Sequence, residues 1–276
     1  QQLHYLSSLL VFFPCKEPIL TLADCPGFFV KDTPPVILDI LEGGNILKQN
    51  RYKVICQTFR NERRFLTLYD TKNKIPVFSA YRFTGVTGKR PNEEMWKIEP
   101  ELEDYNQAIY SDYNNSQGDN RGHLYPNCHA KDWNAKRSTF TLKNVVPHSI
   151  SFNSGSWAKM ERCTECLMKT KCIIANGRIE AFVVVGAEPG EMKLNNKINI
   201  PSRMWSVFCC YNSRKGVWLS KAYWGHNQPE ANMTESSYKE IRATKLKRWV
   251  LSLFLKTSTV SAALRLSGRP FHRRGP

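Results

Sequence analysis

The sequence predicts an α+β protein built on a mixed, mainly antiparallel sheet with flanking helices. Strand-like segments rich in β-branched and aromatic residues lie on both sides of one helical segment, and strands do not alternate regularly with helices. The chain has 276 residues, of which 41% are hydrophobic and 12% aromatic. This length and composition suit a sizeable buried core and exclude disordered, collagen-like and low-complexity proteins.

The first half of the chain predicts one clear hairpin between irregular segments. Residues 23–55 form an irregular entry segment that contains the turn signal Gly43-Gly44-Asn45. Arg64–Tyr69 and Ile75–Phe83 alternate apolar and polar residues around a polar five-residue turn, which is typical of a hairpin. Residues 84–118 are polar and rich in turn formers, so we expect loops there.

The second half predicts one helix among several strands. Arg137–Leu142 is a short β-prone run, and apolar residues recur every three to four positions from Gly155 to Cys172, which predicts a helix. Three further segments have the aromatic and β-branched content of strands: Ile179–Val185, Met204–Tyr211 and Val217–Trp224. No linker divides residues 23–240, so we expect one domain.

The net charge of +16 favours a polyanionic partner, but it is unevenly distributed. Nine basic residues and no acidic ones follow Glu240, which leaves +7 for residues 1–240. Residues 241–276 are therefore predicted to be a basic helix and tail. Tyr238–Leu255 has a basic amphipathic pattern. Residues 238–276 could make weak contact with a membrane surface, contact nucleic acid or dock on the body of the protein.

The sequence favours a secreted protein without a transmembrane segment. No apolar run reaches the roughly 20 residues needed to cross a bilayer, and residues 1–22 are interpreted as a truncated signal or leader segment. The sequons at Asn114 and Asn232 fit a secreted glycoprotein.

Nine cysteines favour disulfides over a metal site. Cys163 and Cys166 have a zinc-like spacing, but no second ligand pair follows at a suitable distance. Cys209 and Cys210 are adjacent and are expected to pair with different partners, and Cys15 is the expected free thiol.

Three short motifs contain the residues of most chemical interest: a histidine beside an arginine, two asparagines and a glutamate. They are Arg121-Gly122-His123, then Asn144 with Pro147, then Asn153-x-Gly155-x-Trp157 followed by Glu161. Histidine can act as a base near neutral pH, and arginine neutralises phosphate charge. Amide and carboxylate oxygens suit Mg²⁺. Taken singly, each motif has an ordinary structural explanation, such as Asn153 capping a helix.

In this order and spacing, the motifs resemble the DNA/RNA non-specific endonuclease family, whose members contain a ββα-metal (His-Me) finger. The similarity covers about residues 25–240 and is closest to the vertebrate branch of endonuclease domain-containing 1 proteins. It implies a finger embedded in the fold and a Mg²⁺ or Mn²⁺ ion, with no other cofactor. The implied activity is sugar-non-specific cleavage of the phosphate backbone of DNA, RNA or both.

The resemblance also implies a role for each matching residue. His123 would be the general base, and Asn144 would orient His123 or the attacking water. Asn153 would be the one direct metal ligand, and Glu161 would contact the ion through water. Arg121 would bind the phosphate, as would Arg82, because Ala80-Tyr81-Arg82 is similar to the strand that supplies another active-site arginine.

Three residues depart from the family pattern. Asn120 replaces the usual aspartate, His148 replaces a glutamine, and Glu165 stands where relatives carry an arginine near the phosphate. Asn120 and Glu165 favour the alternative reading, a catalytically weak or inactive nuclease fold that binds nucleic acid, another polyanion or a protein.

Overall fold

The computed structural model describes residues 21–92, 95–100, 102–113, 119–229 and 239–240. The strands are β1 (Leu41–Glu42), β2 (Asn45–Ile46), β3 (Tyr52–Phe59), β4 (Glu62–Asp70), β5 (Ile75–Phe83), β6 (Asp119–His123), β7 (Val145–Ser149), β8 (Ala181–Leu194), β9 (Ile198–Asn212), β10 (Val217–His226) and β11 (Lys239–Glu240). Seven of them form an antiparallel sheet in the order β11-β10-β9-β8-β5-β4-β3, and β1–β2 and β6–β7 form two small sheets. The predicted α+β class is confirmed.

The helices are few and lie mainly after β6. They are α1 (Trp133–Ser138), α2 (Ile150–Phe152) and α3 (Ala158–Lys171), with a π-helical turn at Asn153–Trp157 between α2 and α3. Short 3₁₀ turns occupy Leu22–Asp24, Val30–Asp32, Asp104–Asn106, Tyr110–Tyr113, Asn127–His129 and Leu142–Asn144. Strands β6 and β7 followed by α2, the π turn and α3 form the expected ββα unit, which we call the finger.

The predicted hairpin and the three predicted C-terminal strands are confirmed. β4 and β5 pair around the polar turn, where Asp70 accepts hydrogen bonds from the backbone N–H groups of Lys72 and Asn73 (3.0 and 3.2 Å). β8, β9 and β10 are longer than predicted, because polar residues extend each strand beyond its apolar centre. The helix predicted from Gly155 to Cys172 corresponds to the end of the π turn and α3.

Three local predictions are wrong. The entry segment contains the two short strands β1 and β2 and the first half of β3. Arg137–Leu142 is not a strand, because Asp132 caps α1 by accepting a hydrogen bond from the Ala135 N–H (2.9 Å) and so starts a helix that includes Arg137. Lys239 and Glu240 pair with β10, so the helix predicted from Tyr238 does not include them. The rest of that predicted helix and the tail lie outside the described residues, as do residues 1–20 and both sequons.

The large sheet separates two hydrophobic cores. The finger face packs against the finger through buried side chains that include Tyr81, Phe83, Tyr125, Val145, Phe152, Trp157 and Met160. The far face packs against the N-terminal segment through a second set that includes Leu22, Phe28, Leu41, Leu66, Leu68, Phe78, Ala80, Val184 and Val207. Because successive residues of a strand point to opposite faces, β5 contributes Tyr81 to one core and Ala80 to the other.

Two disulfides are present, as the cysteine content predicted. Cys25 pairs with Cys56 beside the far face, and Cys172 at the end of α3 pairs with Cys210 of β9. Cys209 is buried and unpaired, so the expectation that both adjacent cysteines would form disulfides is wrong. The side chains of the two neighbours in β9 point to opposite faces, and only Cys210 faces Cys172.

No helix in the described part of the chain is long and apolar enough to cross a membrane.

Candidate active site

His123 is the last residue of β6 and lies between two aromatic side chains. Its ring centroid is 5.3 Å from that of Trp96 and 5.6 Å from that of Phe140. Its Nε2 atom is buried and has no hydrogen-bond partner among the described residues. The histidine thus packs between two rings, and its Nε2 makes no hydrogen bond within the described part of the protein.

Arg121 lies beside His123 on the same face of β6. Its guanidinium carbon is 4.8 Å from the centre of the Trp96 ring and 5.4 Å from that of Tyr110. Trp96 therefore contacts both the histidine and the arginine of the Arg-Gly-His motif. Arg121 and His123 thus pack against the same aromatic ring.

A second arginine, Arg90, lies close to this pair. Its guanidinium carbon is 5.2 Å from the centre of the Phe140 ring, the same ring that contacts His123. Burial, together with the positive charges of Arg90 and Arg121, lowers the pKa of His123 to about 3, and burial is the largest cause. The histidine is therefore neutral at physiological pH. Sequence reasoning missed Arg90, for which the only signal was a Gly-Lys-Arg run in a loop.

The structure does not bring Arg82 to this group. Tyr81 and Phe83 point to the finger face, where both rings contact His129. The side chain of Arg82, between them in β5, points to the opposite face. There it is 52% exposed and lies 3.6 Å from the Glu180 carboxylate. The structure therefore separates Arg82 from His123 and Arg121, and Arg90 is the second arginine close to His123.

Asn144 lies fully buried next to the strand end that carries His123. Its side-chain oxygen accepts a hydrogen bond from the Tyr125 N–H (2.8 Å), and its amide donates to the carbonyls of Tyr125 (3.0 Å) and Thr139 (3.2 Å). Its backbone carbonyl accepts from the Leu124 N–H (2.8 Å). All of these hydrogen bonds join Asn144 to backbone groups, so Asn144 holds the backbone at residues 124 and 125, directly after His123, in place.

Asn153 begins the π turn and contacts the finger hairpin through His148. The Nδ1 of His148 lies 3.0 Å from the Asn153 side-chain oxygen. Burial lowers the pKa of His148 to about 4, so the ring is neutral and its Nδ1–H can donate to that oxygen. The amide oxygen of Asn153 is thereby held in one orientation.

The structure shows why a glycine, Gly122, stands between Arg121 and His123. The ring of His148 lies against its backbone, and a Cβ atom at position 122 would be 2.3 Å from the His148 Nδ1. Only glycine leaves room for this ring. Gly122 thus faces the His148–Asn153 pair, whereas the side chains of Arg121 and His123 point to the other face of β6, so the strand lies between these two groups of predicted site residues.

Glu161 lies one helical turn after Trp157, and burial dominates its electrostatics. Burial raises the pKa of its carboxyl to about 8, against the opposing effects of the Arg162 charge and the Trp157 indole. The Trp157 ring also lies 6.1 Å from that of His148. Glu161 and Asn153 are thus linked through two packed rings, and a nearby cation would stabilise the charged form of Glu161.

His129 is a further site-supporting residue that sequence reasoning missed. Its Nε2 lies 2.8 Å from the backbone carbonyl of Glu161, and its Nδ1 lies 2.7 Å from the Tyr81 hydroxyl. Because a carbonyl can only accept, Nε2 carries the proton and Nδ1 accepts from Tyr81. These two hydrogen bonds connect α3 to β5 through the His129 ring. Nothing in the sequence distinguished His129 from a surface histidine.

The other two departures from the family pattern have mild structural consequences. Asn120 is exposed on β6, so the aspartate it replaces would also stand in solvent. The carboxylate of Glu165 lies 2.5 Å from the ammonium group of Lys169 one turn along α3, which offsets its negative charge.

Comparisons with known proteins identify the family and support the fold. The sequence model of the DNA/RNA non-specific endonuclease family matches residues 43–253. The human endonuclease domain-containing 1 protein is 27% identical over 213 residues, covering 68% of this chain and 39% of the relative. The mouse protein of that name is 28% identical over 209 residues, covering 68% of this chain and 38% of the relative. The chain thus spans about two fifths of the length of these relatives.

A similar fold occurs in a solved structure entitled "Crystal structure of the EndoG/EndoGI complex: Mechanism of EndoG inhibition". The TM-score is 0.53 at 20% sequence identity, with 64% of this chain and 77% of the other covered. This likeness concerns the fold alone, whereas the sequence match extends over most of the chain, including the finger and its motifs. The chain therefore belongs to the DNA/RNA non-specific endonuclease family.

Proposed function

We propose that this chain is a secreted, metal-dependent endonuclease that hydrolyses phosphodiester bonds of DNA, RNA or both without regard to the sugar. The observation that carries the proposal is the grouping of a partly buried, neutral His123 with Arg90 and Arg121 around the adjoining rings of Trp96 and Phe140. A neutral imidazole beside two phosphate-binding cations is what hydrolysis of a phosphodiester requires.

His123 acts as the general base in this proposal. The two arginine charges that lower its pKa are the groups that would bind the phosphate. A bound phosphodiester brings a negative charge that offsets them, so binding of the substrate raises the pKa of His123. The histidine thus becomes a better proton acceptor for the attacking water when the substrate is in place.

Arg90 and Arg121 neutralise the charge that grows on the phosphoryl oxygens. Guanidinium groups donate forked hydrogen bonds to phosphate and remain charged at any working pH. Asn144 acts as a positioning residue, since its three side-chain hydrogen bonds hold the backbone that follows His123. Lysine and arginine elsewhere on the body supply sequence-independent affinity for the backbone.

Asn153 and Glu161 would hold a Mg²⁺ or Mn²⁺ ion. Asn153 offers an oriented neutral oxygen, and Glu161 offers a partly buried carboxyl whose charged form a nearby cation would stabilise. Among the described residues no three His, Cys, Asp or Glu side chains cluster as a metal cage. Mg²⁺ commonly binds through one or two protein groups and retains several waters. When bound, the ion would act as a Lewis acid on the phosphate and stabilise the leaving oxygen.

Two disulfides support secretion, because disulfides persist in oxidising compartments. The competing proposal is an inactive fold that binds nucleic acid or another polyanion, and Asn120 is the residue that favours it. The pairing of Glu165 with Lys169 weakens the other argument for inactivity.

A plasmid-relaxation assay tests the function. With Mg²⁺ we expect the wild-type chain to convert supercoiled plasmid to relaxed and linear forms, and EDTA to stop the reaction. His123→Ala, purified in parallel, should lower the rate by at least about 100-fold, the usual contribution of a general base. Equal rates for wild type and variant would show that the nicking is contamination. Binding of the plasmid without any nicking would favour the inactive fold.

A further inference from the structure

An exposed aromatic ring lies beside the candidate phosphate-binding arginine. Tyr110 opens the 3₁₀ turn Tyr110–Tyr113, its side chain is 54% exposed, and its ring centre lies 5.4 Å from the guanidinium carbon of Arg121. The other ring on this guanidinium, Trp96, is partly buried against His123. One ring therefore forms the wall of the site, and the other stands at its solvent edge.

The segment that carries Tyr110 is firmly held although the ring is exposed. The buried Asp112 carboxylate accepts hydrogen bonds from the Ile109 N–H (3.0 Å) and the Lys197 ammonium (2.7 Å), and the Asp112 carbonyl accepts from the Asn195 amide (2.7 Å). On the other side, the Ala108 N–H donates to the Tyr69 hydroxyl (3.2 Å). These bonds tie the turn to the large sheet, so the ring is presented on a rigid support.

The contact between Tyr110 and Arg121 leaves the N–H donors of the arginine and part of the tyrosine ring able to bind a ligand. A guanidinium stacked on rings keeps its N–H donors in its own plane, where they can reach a phosphate. Tyr110 keeps solvent-exposed surface beside that phosphate position. In any polynucleotide a base is separated from the backbone phosphate only by its sugar, so a base lies within reach of this ring.

We propose that Tyr110 is a stacking platform for one unpaired nucleobase next to the phosphate held by Arg121. This inference rests on the proposed function, since it takes the phosphate of the substrate as its anchor. Aromatic rings stack every base without reading its identity, so the platform suits a nuclease without sequence preference. In a duplex both faces of a base are covered by its neighbours, so the platform favours single strands and unpaired ends.

The test compares two strands that carry the same phosphates. Fluorescence anisotropy would measure the affinity of the His123→Ala chain, in which cleavage should be at least about 100-fold slower, for an oligothymidylate and for an abasic oligomer of equal length. We expect oligothymidylate to bind on the order of 10-fold more tightly, the contribution of one stacked base. Adding Tyr110→Ala should reduce that affinity to the abasic level and leave abasic binding unchanged.

Two control variants distinguish the loss of base stacking from a general structural change in the segment around Tyr110. Tyr110→Phe keeps the ring and should keep the preference for bases. Tyr105→Ala removes another tyrosine of the same segment, 72% exposed, and should change neither affinity. The proposal is overturned if Tyr110→Ala weakens both oligomers by the same factor, because the ring would then act only through Arg121, or if it weakens neither. Plasmid relaxation by the wild-type chain is scored separately, so failure of the nuclease and failure of the platform give different results.

Discussion

The two faces of the large sheet bury different kinds of residue. The far face is covered by aliphatic and aromatic side chains and a disulfide, including Leu66, Leu68, Phe78, Val184 and the Cys25–Cys56 pair. Beside its apolar core, the finger face buries polar or titratable groups: His129, Lys143, Asn144 and His148. Burial of such groups is costly unless they are hydrogen-bonded, and it lowers the pKa of each of these histidines.

Several buried polar atoms near the finger have no hydrogen-bond partner among the described residues. They are the Nε2 atoms of His123 and His148, the indole nitrogen of Trp96, and the Tyr113 hydroxyl. Each such atom typically costs about 1–3 kcal/mol. The comparison teaches that the far face contributes apolar burial to stability, whereas the finger face buries polar and titratable groups at a cost in stability.

Paired truncations on the two faces should separate stability from activity. Asn144→Ala leaves three backbone groups unpaired, so we expect a loss of about 3 kcal/mol in the free energy of unfolding. We also expect at least a 10-fold lower cleavage rate, because the backbone after His123 loses its support. Leu68→Ala, fully buried on the far face, should lose about 2–5 kcal/mol and keep the cleavage rate per folded molecule.

Urea unfolding and plasmid relaxation at a temperature where both variants are folded would measure these effects. If Leu68→Ala slowed cleavage as much as Asn144→Ala did, the conclusion that the two faces have different roles would be contradicted.

Acid should destabilise the protein partly through His123. Its pKa is about 3 in the folded state and near 6.5 in an unfolded chain, so between these values the unfolded state binds one more proton. Stability therefore falls as the pH drops below 6.5, by up to about 1.4 kcal/mol per pH unit from this residue. His123→Gln should show a shallower loss between pH 6.5 and 4.5 in urea-unfolding midpoints.

His226→Gln, at an exposed position on β10, controls for the removal of a histidine. Parallel pH curves for wild type and His123→Gln would mean that the histidine is not buried as described.

Strands with local signals could be predicted from the sequence. The β4–β5 hairpin and the strands β8, β9 and β10 have alternating or β-branched patterns bounded by turns. Arg137–Leu142 could not be predicted correctly, because the capping bond of Asp132 and the packing of α1 override its β-prone composition.

The candidate site could be predicted in part, because some of its residues also lie in local sequence motifs. Motif order identified His123, Arg121 and Asn153, and the structure places each of them in the finger. Arg82 shows the limit of this reasoning. Alternation along β5 separates it from Tyr81 and Phe83, but no local pattern says which face of a sheet meets the finger. Arg90 comes from a loop, and only the fold places it beside Phe140 and His123.

The comparison of Arg90 with Arg82 tests most directly the claim that the finger face carries the nuclease centre. The measurement is the initial rate of plasmid relaxation, at equal protein and Mg²⁺ concentrations, for wild type, Arg90→Gln and Arg82→Gln. We expect Arg90→Gln to lower the rate by about 100-fold, the scale of a lost charge-stabilising donor. Arg82→Gln should lower it by less than about 5-fold, the scale of an exposed ion pair. The opposite order, with Arg82→Gln the more damaging variant, would contradict the account.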